Sequence, residues 1–136
     1  MTLKDQLIRD EGFRSRVYFD SVGVATIGYG RNLRDKGVCL CEAETMLTHD
    51  ILDAVSDLKR EIPWTDELDE ARRGALVNMV FNMGIGGLKG FVHFLAFLKL
   101  HRYELAAEEM LESKWAKQVG TRAIRLSTQI RTGTMQ

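Results

Sequence analysis

Cysteine and proline are scarce in this chain, which has two cysteines, Cys39 and Cys41, and one proline, Pro63. Two cysteines with one residue between them are too close for an ordinary disulfide and too few for a zinc site. We therefore interpret them as reduced, structural residues without a metal or redox role. The sequence predicts no metal site and no cofactor.

An excess of charge and a long apolar segment are also absent. The 19 basic and 19 acidic residues balance, so the composition gives no reason to expect nucleic acid as a partner. The first residues, MTLKDQLIRDEG, lack the apolar segment of a secretory signal, and no later segment is long and apolar enough to span a bilayer. We expect synthesis and folding in a cytoplasm, no stable membrane insertion, and a monomer by default.

What is present fits one folded domain. A chain of 136 residues with 45% hydrophobic content can bury a substantial core. No repeat, low-complexity tract or linker rich in proline, glycine or serine divides it.

The beginning of the chain predicts a short helix. Thr2, followed three residues later by Asp5, is typical of a helix start, and Gly12 is a natural stop. Glu11 then lies in the last helical turn. The negative end of a helix disfavours a carboxylate, so this position favours a carboxyl group that keeps its proton.

Two β-favouring segments follow this helix, at 17–19 and 24–27. Between them, the order Ser21, Val22, Gly23 is typical of a hairpin turn. Asp20 then lies where the first strand gives way to the turn.

The rest of the chain predicts helices. Apolar residues recur at helical spacing over 42–62, and Pro63 closes that segment. Thr65 or Asp66 is a candidate cap for a further helical start, and an apolar helix is expected at 71–83, ended by Gly84. Glycines at 86, 87 and 90 predict a loop, and the other expected helical segments are 91–100, 103–117 and 121–131.

Cleavage of a glycosidic bond needs two carboxyl groups in unlike environments, one protonated and one ionised. Glu11 and Asp20 fit that requirement. Each also has a simpler interpretation, because Glu11 can be a solvated acid at a helix end and Asp20 an ordinary turn former. Thr26 by itself is a β-branched strand residue.

Three blocks of the sequence resemble the phage-type lysozymes. Glu11, eight residues, Asp20, five residues and Thr26 reproduce the catalytic spacing of that family, followed by its Thr-Ile-Gly-Tyr-Gly run. The segments 71–84 (ARRGALVNMVFNMG) and 113–134 extend the likeness over nearly the whole chain.

The resemblance implies an α+β fold that is mainly helical. It implies a small β-hairpin lobe at 12–41 and a connecting helix at 42–62. A larger helical lobe would consist of 1–11 plus 63–136, with the active site in the cleft between the lobes. The segment between Leu33 and Cys41 is shorter than in longer members of the family, so we expect a small β lobe.

The resemblance also implies roles for individual residues. Glu11 would be the general acid, Asp20 the base or charge stabiliser, and Thr26 the residue that holds the attacking water, with inversion at the anomeric carbon. Spacing in sequence alone leaves the stereochemical course open.

Further residues match positions at which the family contacts substrate or supports the acid. Asn32, Phe81 and Asn82 would contact the glycan, although Phe81 lies in an apolar helix where core packing is the stronger interpretation. Arg122 would lie near Glu11.

The implied activity is that of a muramidase, which hydrolyses the β-1,4 bond between N-acetylmuramic acid and N-acetylglucosamine of bacterial peptidoglycan. A phage or prophage endolysin is the expected context, and it would reach the cell wall through a separate membrane-permeabilising protein. Two alternatives stay open: a lytic transglycosylase and a non-catalytic, wall-binding component of a phage particle.

Overall fold

The computed structural model describes residues 1–136 and contains seven α-helices, one 3-10 helix and a three-stranded antiparallel sheet. A mainly helical α+β protein with a small sheet was expected, and this expectation is confirmed. In chain order the elements are α1 (Leu3–Glu11), β1 (Arg14–Phe19), β2 (Ala25–Gly28), β3 (Arg31–Asn32), α2 (Leu40–Glu61), the 3-10 helix (Pro63–Glu67), α3 (Glu70–Lys89), α4 (Val92–Lys99), α5 (Tyr103–Glu112), α6 (Lys114–Val119) and α7 (Thr121–Thr132).

The chain divides into two compact units, Met1–Met46 and Leu47–Gln136. We call them the sheet unit and the helical unit. The sheet unit holds α1 and all three strands, whereas the family resemblance implies that 1–11 belong with 63–136. Helix α2 begins in the first unit and ends in the second.

Helix α1 has the ends that its sequence predicts. Thr2 and Asp5 form a capping box: the Asp5 carboxylate accepts from the Thr2 amide at 2.8 Å, and the Thr2 hydroxyl accepts from the Asp5 amide at 3.1 Å. Gly12 ends the helix at φ +70°, and its amide donates to the Ile8 carbonyl. Glu11 is consequently the last residue of the helix.

The sheet has the order β1, β2, β3. Thr26 in the central strand is opposite Tyr18 on one side and Asn32 on the other. Strand β3 was not expected from the sequence, because a strand of two polar residues carries no hydrophobic alternation. Val24 and Thr26 are the only buried residues of the sheet unit.

The helical unit contains the hydrophobic core. Helix α5 packs against α4 and α7, and α3 and α6 also pack against α7. The core residues that the sequence predicted are confirmed, since Met79, Val80, Leu88 and Leu98 are buried and Met83, Phe91, Leu95 and Phe97 pack against them.

Two expected helix boundaries were wrong. The cap of α3 is Asp69, whose carboxylate accepts from the Arg72 amide, because Thr65 is buried in the 3-10 helix and donates its hydroxyl to Ile62. The expected helix at 103–117 is divided at Ser113, whose extended backbone ends α5 and whose hydroxyl caps α6.

Gly86 and Gly87 are helical instead of lying in the expected loop. Gly84 breaks the helix at φ +81°, as predicted, but helical structure resumes and continues to Lys89. Leu88 is fully buried there, so core packing outweighs the low helix propensity of Gly86 and Gly87.

No single helix is both long enough and apolar enough to cross a bilayer. Helices α3 and α4 reach that length and composition only when taken together, and the chain bends by 101° between them.

Candidate active site

Glu11 lies at the carbonyl end of α1, exposed to solvent, and its carboxyl group makes no hydrogen bond or ion pair within the chain. The group lies directly over Gly30. A β-carbon added to Gly30 would be 2.5 Å from Oε2 of Glu11 and 3.0 Å from its Cδ. Gly30 also has φ +71°, so the position needs glycine for its backbone conformation as well as for space.

Asp20 follows β1 directly and holds the turn between β1 and β2. Its Oδ1 accepts from the amides of Val22 at 3.0 Å and Val24 at 2.9 Å. The turn-former interpretation is therefore an observed feature of this residue. Both bonds use Oδ1, so Oδ2 makes no hydrogen bond within the chain and can serve another group.

Thr26 is 4% exposed, and its hydroxyl donates to the Val24 carbonyl at 2.8 Å. Only the lone pairs of Oγ1 are therefore available to a further group. Asn32, opposite Thr26, uses its side-chain amide on Asp35: Nδ2 donates to the carboxylate at 3.0 Å, and Oδ1 accepts from the amide at 2.9 Å. A substrate role for Asn32 requires exchange of these bonds.

Arg31 connects β3 to the start of α2. Its guanidinium binds both carboxylate oxygens of Glu42, at 3.0 Å from Nη1 to Oε1, and also donates to the Gly37 carbonyl at 2.9 Å. The Cys39 amide donates to the same Glu42 oxygen at 3.0 Å. These bonds lower the pKa of Glu42 to about 2, and the bond from Arg31 has the largest effect. This network fixes Arg31, which directly follows Gly30 in the chain. Gly30 is the residue that the Glu11 carboxyl group contacts.

The helical unit has an apolar groove of about 480 Å³ on its surface. Phe81 lines it and is 44% exposed, so the core-packing interpretation of Phe81 was wrong. Arg122 lies at the same groove, and the other lining residues are Leu47, Ile51, Val55, Glu70, Arg73, Gly74, Val77 and Asn78.

The two polar candidate side chains of the helical unit, Arg122 and Asn82, make internal hydrogen bonds. Nε of Arg122 donates to Oδ1 of Asn78 at 2.9 Å. Asn82 accepts through Oδ1 from the indole nitrogen of Trp115 at 2.8 Å. Trp115 is 7% exposed, so Asn82 satisfies a buried donor, while its Nδ2 group makes no hydrogen bond within the chain.

The residues predicted from the sequence therefore fall into two groups. The sheet unit contains Glu11, Asp20, Thr26 and Asn32. The helical unit contains Phe81, Asn82 and Arg122. No group of three or more histidine, cysteine, aspartate or glutamate side chains is placed to hold a metal ion. In chemical terms, the sheet unit offers an unpaired carboxyl group at a helix end and a second carboxylate with one free oxygen.

Sequence reasoning missed Gly30 and the Arg31–Glu42 ion pair. Gly30 carried a signal, because it ends the Gly-Tyr-Gly run. Glu42 carried no such signal in the sequence, because an acidic residue in the first turn of a helix is common.

Residues 9–131 match the family model described as Phage lysozyme. A probable T4-type lysozyme 1 of Dictyostelium discoideum is 26% identical over 98% of this chain and 96% of its own length. The endolysin of Salmonella phage P22 is 28% identical over 78% of this chain and 76% of its own.

The pre-baseplate central spike protein Gp5 of Enterobacteria phage T4 is 29% identical over the whole of this chain. The match covers 28% of the length of that protein.

Proposed function

The chain belongs to the phage lysozyme family, and we propose that it hydrolyses the β-1,4 bond between N-acetylmuramic acid and N-acetylglucosamine in bacterial peptidoglycan. Lysozymes of this family are glycoside hydrolases that act on peptidoglycan. The observation that carries the proposal for this chain is the Glu11 carboxyl group, which is exposed, unpaired and lies on Gly30 in the unit that also holds Asp20.

In the proposed reaction, Glu11 donates its proton to the glycosidic oxygen that leaves. This role needs a carboxyl group that solvent can reprotonate after each turnover, and an exposed side chain without internal partners meets that need. Gly30 contributes space, because any side chain at that position would displace the carboxyl group.

Asp20 and Thr26 would orient the attacking water. The water donates one hydrogen to Oδ2 of Asp20 and the other to Oγ1 of Thr26, which has already given its own hydrogen to Val24. The lone pair of the water then faces the anomeric carbon, and Asp20 receives the proton that attack releases. Attack from the face opposite Glu11 inverts the configuration.

The glycan contacts that we propose use the side of the helical unit on which Phe81 lies. Its exposed ring offers an apolar surface for a sugar face, and Nδ2 of Asn82 can donate to an N-acetyl carbonyl while Oδ1 stays bound to Trp115. Arg122 would support ionised Glu11 after proton transfer, a role that requires it to exchange its bond to Asn78. Asn32 would contact the glycan after releasing Asp35.

The biological role that we propose is host lysis by a phage or prophage endolysin. The similarity to the P22 endolysin supports this role. The enzyme would act on the cell wall as a monomer, without a cofactor, after a separate protein has permeabilised the membrane.

The test compares Glu11→Gln with Asp10→Asn on purified peptidoglycan, with release of reducing ends as the readout. Both substitutions turn an exposed acid into its amide, one residue apart. We expect Glu11→Gln to lose about 100-fold or more, as removal of a general acid does, and Asp10→Asn to stay near wild type. Equal rates for wild type and Glu11→Gln would refute the assignment.

A lytic transglycosylase is the second candidate, favoured by the structural role of Asp20. Since Asp20 already holds the turn through two amides, a mechanism that uses Glu11 as the only catalytic acid is consistent with the site. Mass spectrometry of the fragments separates the two reactions. Hydrolysis adds one water per bond cleaved, whereas transglycosylation leaves an anhydro sugar.

A wall-binding component of a phage particle is the third candidate, and the similarity to a T4 spike protein favours it. Glycan binding by the wild-type chain without release of any fragment would support this candidate against both enzymes.

A further inference from the structure

The two cysteines, interpreted from sequence as structural, lie at the surface. Both are free and exposed, and their sulfur atoms are 3.4 Å apart and joined by a hydrogen bond. A structural cysteine is normally a small, buried hydrophobic residue. Neither residue fills a core position here, so packing does not account for them.

Their place in the fold is the start of α2. The Ala43 amide donates to the Cys39 carbonyl as the first bond of the helix, which makes Cys39 the N-cap residue. Glu42 accepts from the Cys39 amide and so supplies half of a capping box. The usual N-cap residues are serine, threonine, aspartate and asparagine, whose oxygens accept better than sulfur. Helix capping therefore does not account for a cysteine at this position.

We propose that Cys39 and Cys41 form a thiol–disulfide exchange site that reacts with low-molecular-weight disulfides. The sulfur of one cysteine attacks the small disulfide, which forms a protein mixed disulfide and releases one small thiolate. The second cysteine loses its proton and attacks the mixed disulfide at the protein sulfur, which closes the Cys39–Cys41 bond and releases the second thiolate. Two protein thiols are oxidised to one disulfide, and one small disulfide is reduced to two thiols.

The contact between the two sulfurs also affects how readily a thiol loses its proton. The hydrogen bond to Cys39 raises the pKa of the Cys41 thiol, with burial and the charge of Glu42 acting in the same direction. Either sulfur can donate the hydrogen bond that joins them. Either cysteine can therefore make the first attack, and the other, 3.4 Å away, then resolves the mixed disulfide.

The resulting disulfide is of the easily reduced kind. The sulfurs must approach from 3.4 Å to about 2.05 Å, a small movement for side chains at an exposed helix end. A loop of one intervening residue gives almost no stabilisation through loop closure and imposes strain. Strained, exposed disulfides have the more oxidising potentials, so a dithiol reductant will reopen this one.

The experiment exposes the full-length protein to oxidised glutathione and follows intact mass and free thiols. We expect wild type to lose two hydrogen atoms and both thiols without retaining glutathione, and dithiothreitol to restore both. Three results would each overturn the proposal. They are retention of two glutathiones, formation of a cross-linked dimer, and wild-type thiols that stay free under conditions in which Cys41→Ser reacts.

Two matched variants test the two steps separately. Cys41→Ser should stop at the mixed disulfide and retain one glutathione on Cys39. Cys39→Ser should likewise retain one glutathione, on Cys41. If neither single variant retained glutathione, the proposal would be overturned. These readouts do not depend on peptidoglycan cleavage, so they stand apart from the proposed function.

Discussion

The carboxyl group of Glu11 lies so close to the backbone of Gly30 that the β-carbon of any other residue at position 30 would be 2.5 Å from Oε2. Glu11 ends the first helix, and Gly30 lies in the turn between β2 and β3. The place of the candidate acid is thus set by a glycine that carries no chemistry of its own.

Gly30→Ala should move the Glu11 carboxyl group and reduce peptidoglycan cleavage. A displacement of about 1 Å in a reacting group can cost about 100-fold in rate, so we expect a loss between tenfold and about that figure. The φ of +71° adds strain of about 1–2 kcal/mol to the folded state. The measurements are specific activity and the urea midpoint of unfolding.

Gly28→Ala is the matched control. Gly28 has φ +69°, and a β-carbon there would meet nothing within 4 Å. We expect a similar loss of stability with little loss of activity. If Gly28→Ala reduced activity as much as Gly30→Ala, the contact with Glu11 would not be the cause.

Asp20→Asn separates the two roles of Asp20. The asparagine Oδ1 can accept from the amides of Val22 and Val24 as the aspartate does, so the turn should persist with little change in stability. The negative charge is lost, and with it the base that receives a proton from water. We expect activity to fall by about 100-fold or more.

Asp20→Ala removes the turn bonds as well and should also lower stability, by about 1–2 kcal/mol. Stability is read from urea unfolding and activity from reducing ends. Full activity in Asp20→Asn would show that Asp20 acts only as a turn former, which would favour the transglycosylase mechanism.

Asn82→Ala should destabilise the helical unit. It leaves the indole nitrogen of Trp115 without its acceptor in a buried position, which costs about 1–3 kcal/mol. Urea unfolding of Asn82→Ala, Trp115→Phe and the double variant measures the coupling between the two residues.

In the Trp115→Phe background the indole donor is gone, so Asn82→Ala should cost much less stability. Any loss of peptidoglycan cleavage that Asn82→Ala still causes there belongs to substrate contact. If the two stability effects simply add, the hydrogen bond contributes nothing measurable.

Acid should weaken the junction between β3 and α2. The pKa of Glu42 is about 2 in the folded chain, below its ordinary value of 4.5, so the folded state favours the ionised carboxylate. The stabilisation is complete above the ordinary value and is lost as the pH falls from there toward 2. Thermal unfolding of wild type between pH 7 and 2 measures the loss.

Glu42→Gln is the control, because its amide does not titrate in this range. The difference in thermal midpoint between wild type and Glu42→Gln should be constant above the ordinary pKa and shrink at lower pH. A difference independent of pH would show that the Arg31 ion pair adds no stability.

Local signals in the sequence were sufficient for the ends of α1 and for the turn at Asp20. Thr2, Asp5 and Gly12 act on backbone groups within a few residues, so their effect is visible without tertiary structure. The same holds for Asp20, whose partners are two and four residues away. The resemblance then identified the family, although no propensity argument would have done so.

Contacts between distant residues decided the rest. Gly86 and Gly87 have low helix propensity, yet they are helical because Leu88 is buried in the core. The bond from Trp115 to Asn82 joins residues 33 positions apart, and it turns a candidate sugar ligand into a partner of a buried indole.

The sequence by itself determined the helix ends, the Asp20 turn and which residues are chemically fit to act as acid and base. Those properties depend on side-chain type and on neighbours along the chain. Only the tertiary structure decided that Glu11 lies on Gly30, that Arg31 binds Glu42 and that Trp115 donates to Asn82. Such contacts depend on how separate segments fold back on one another, because packing and hydrogen bonding act through space.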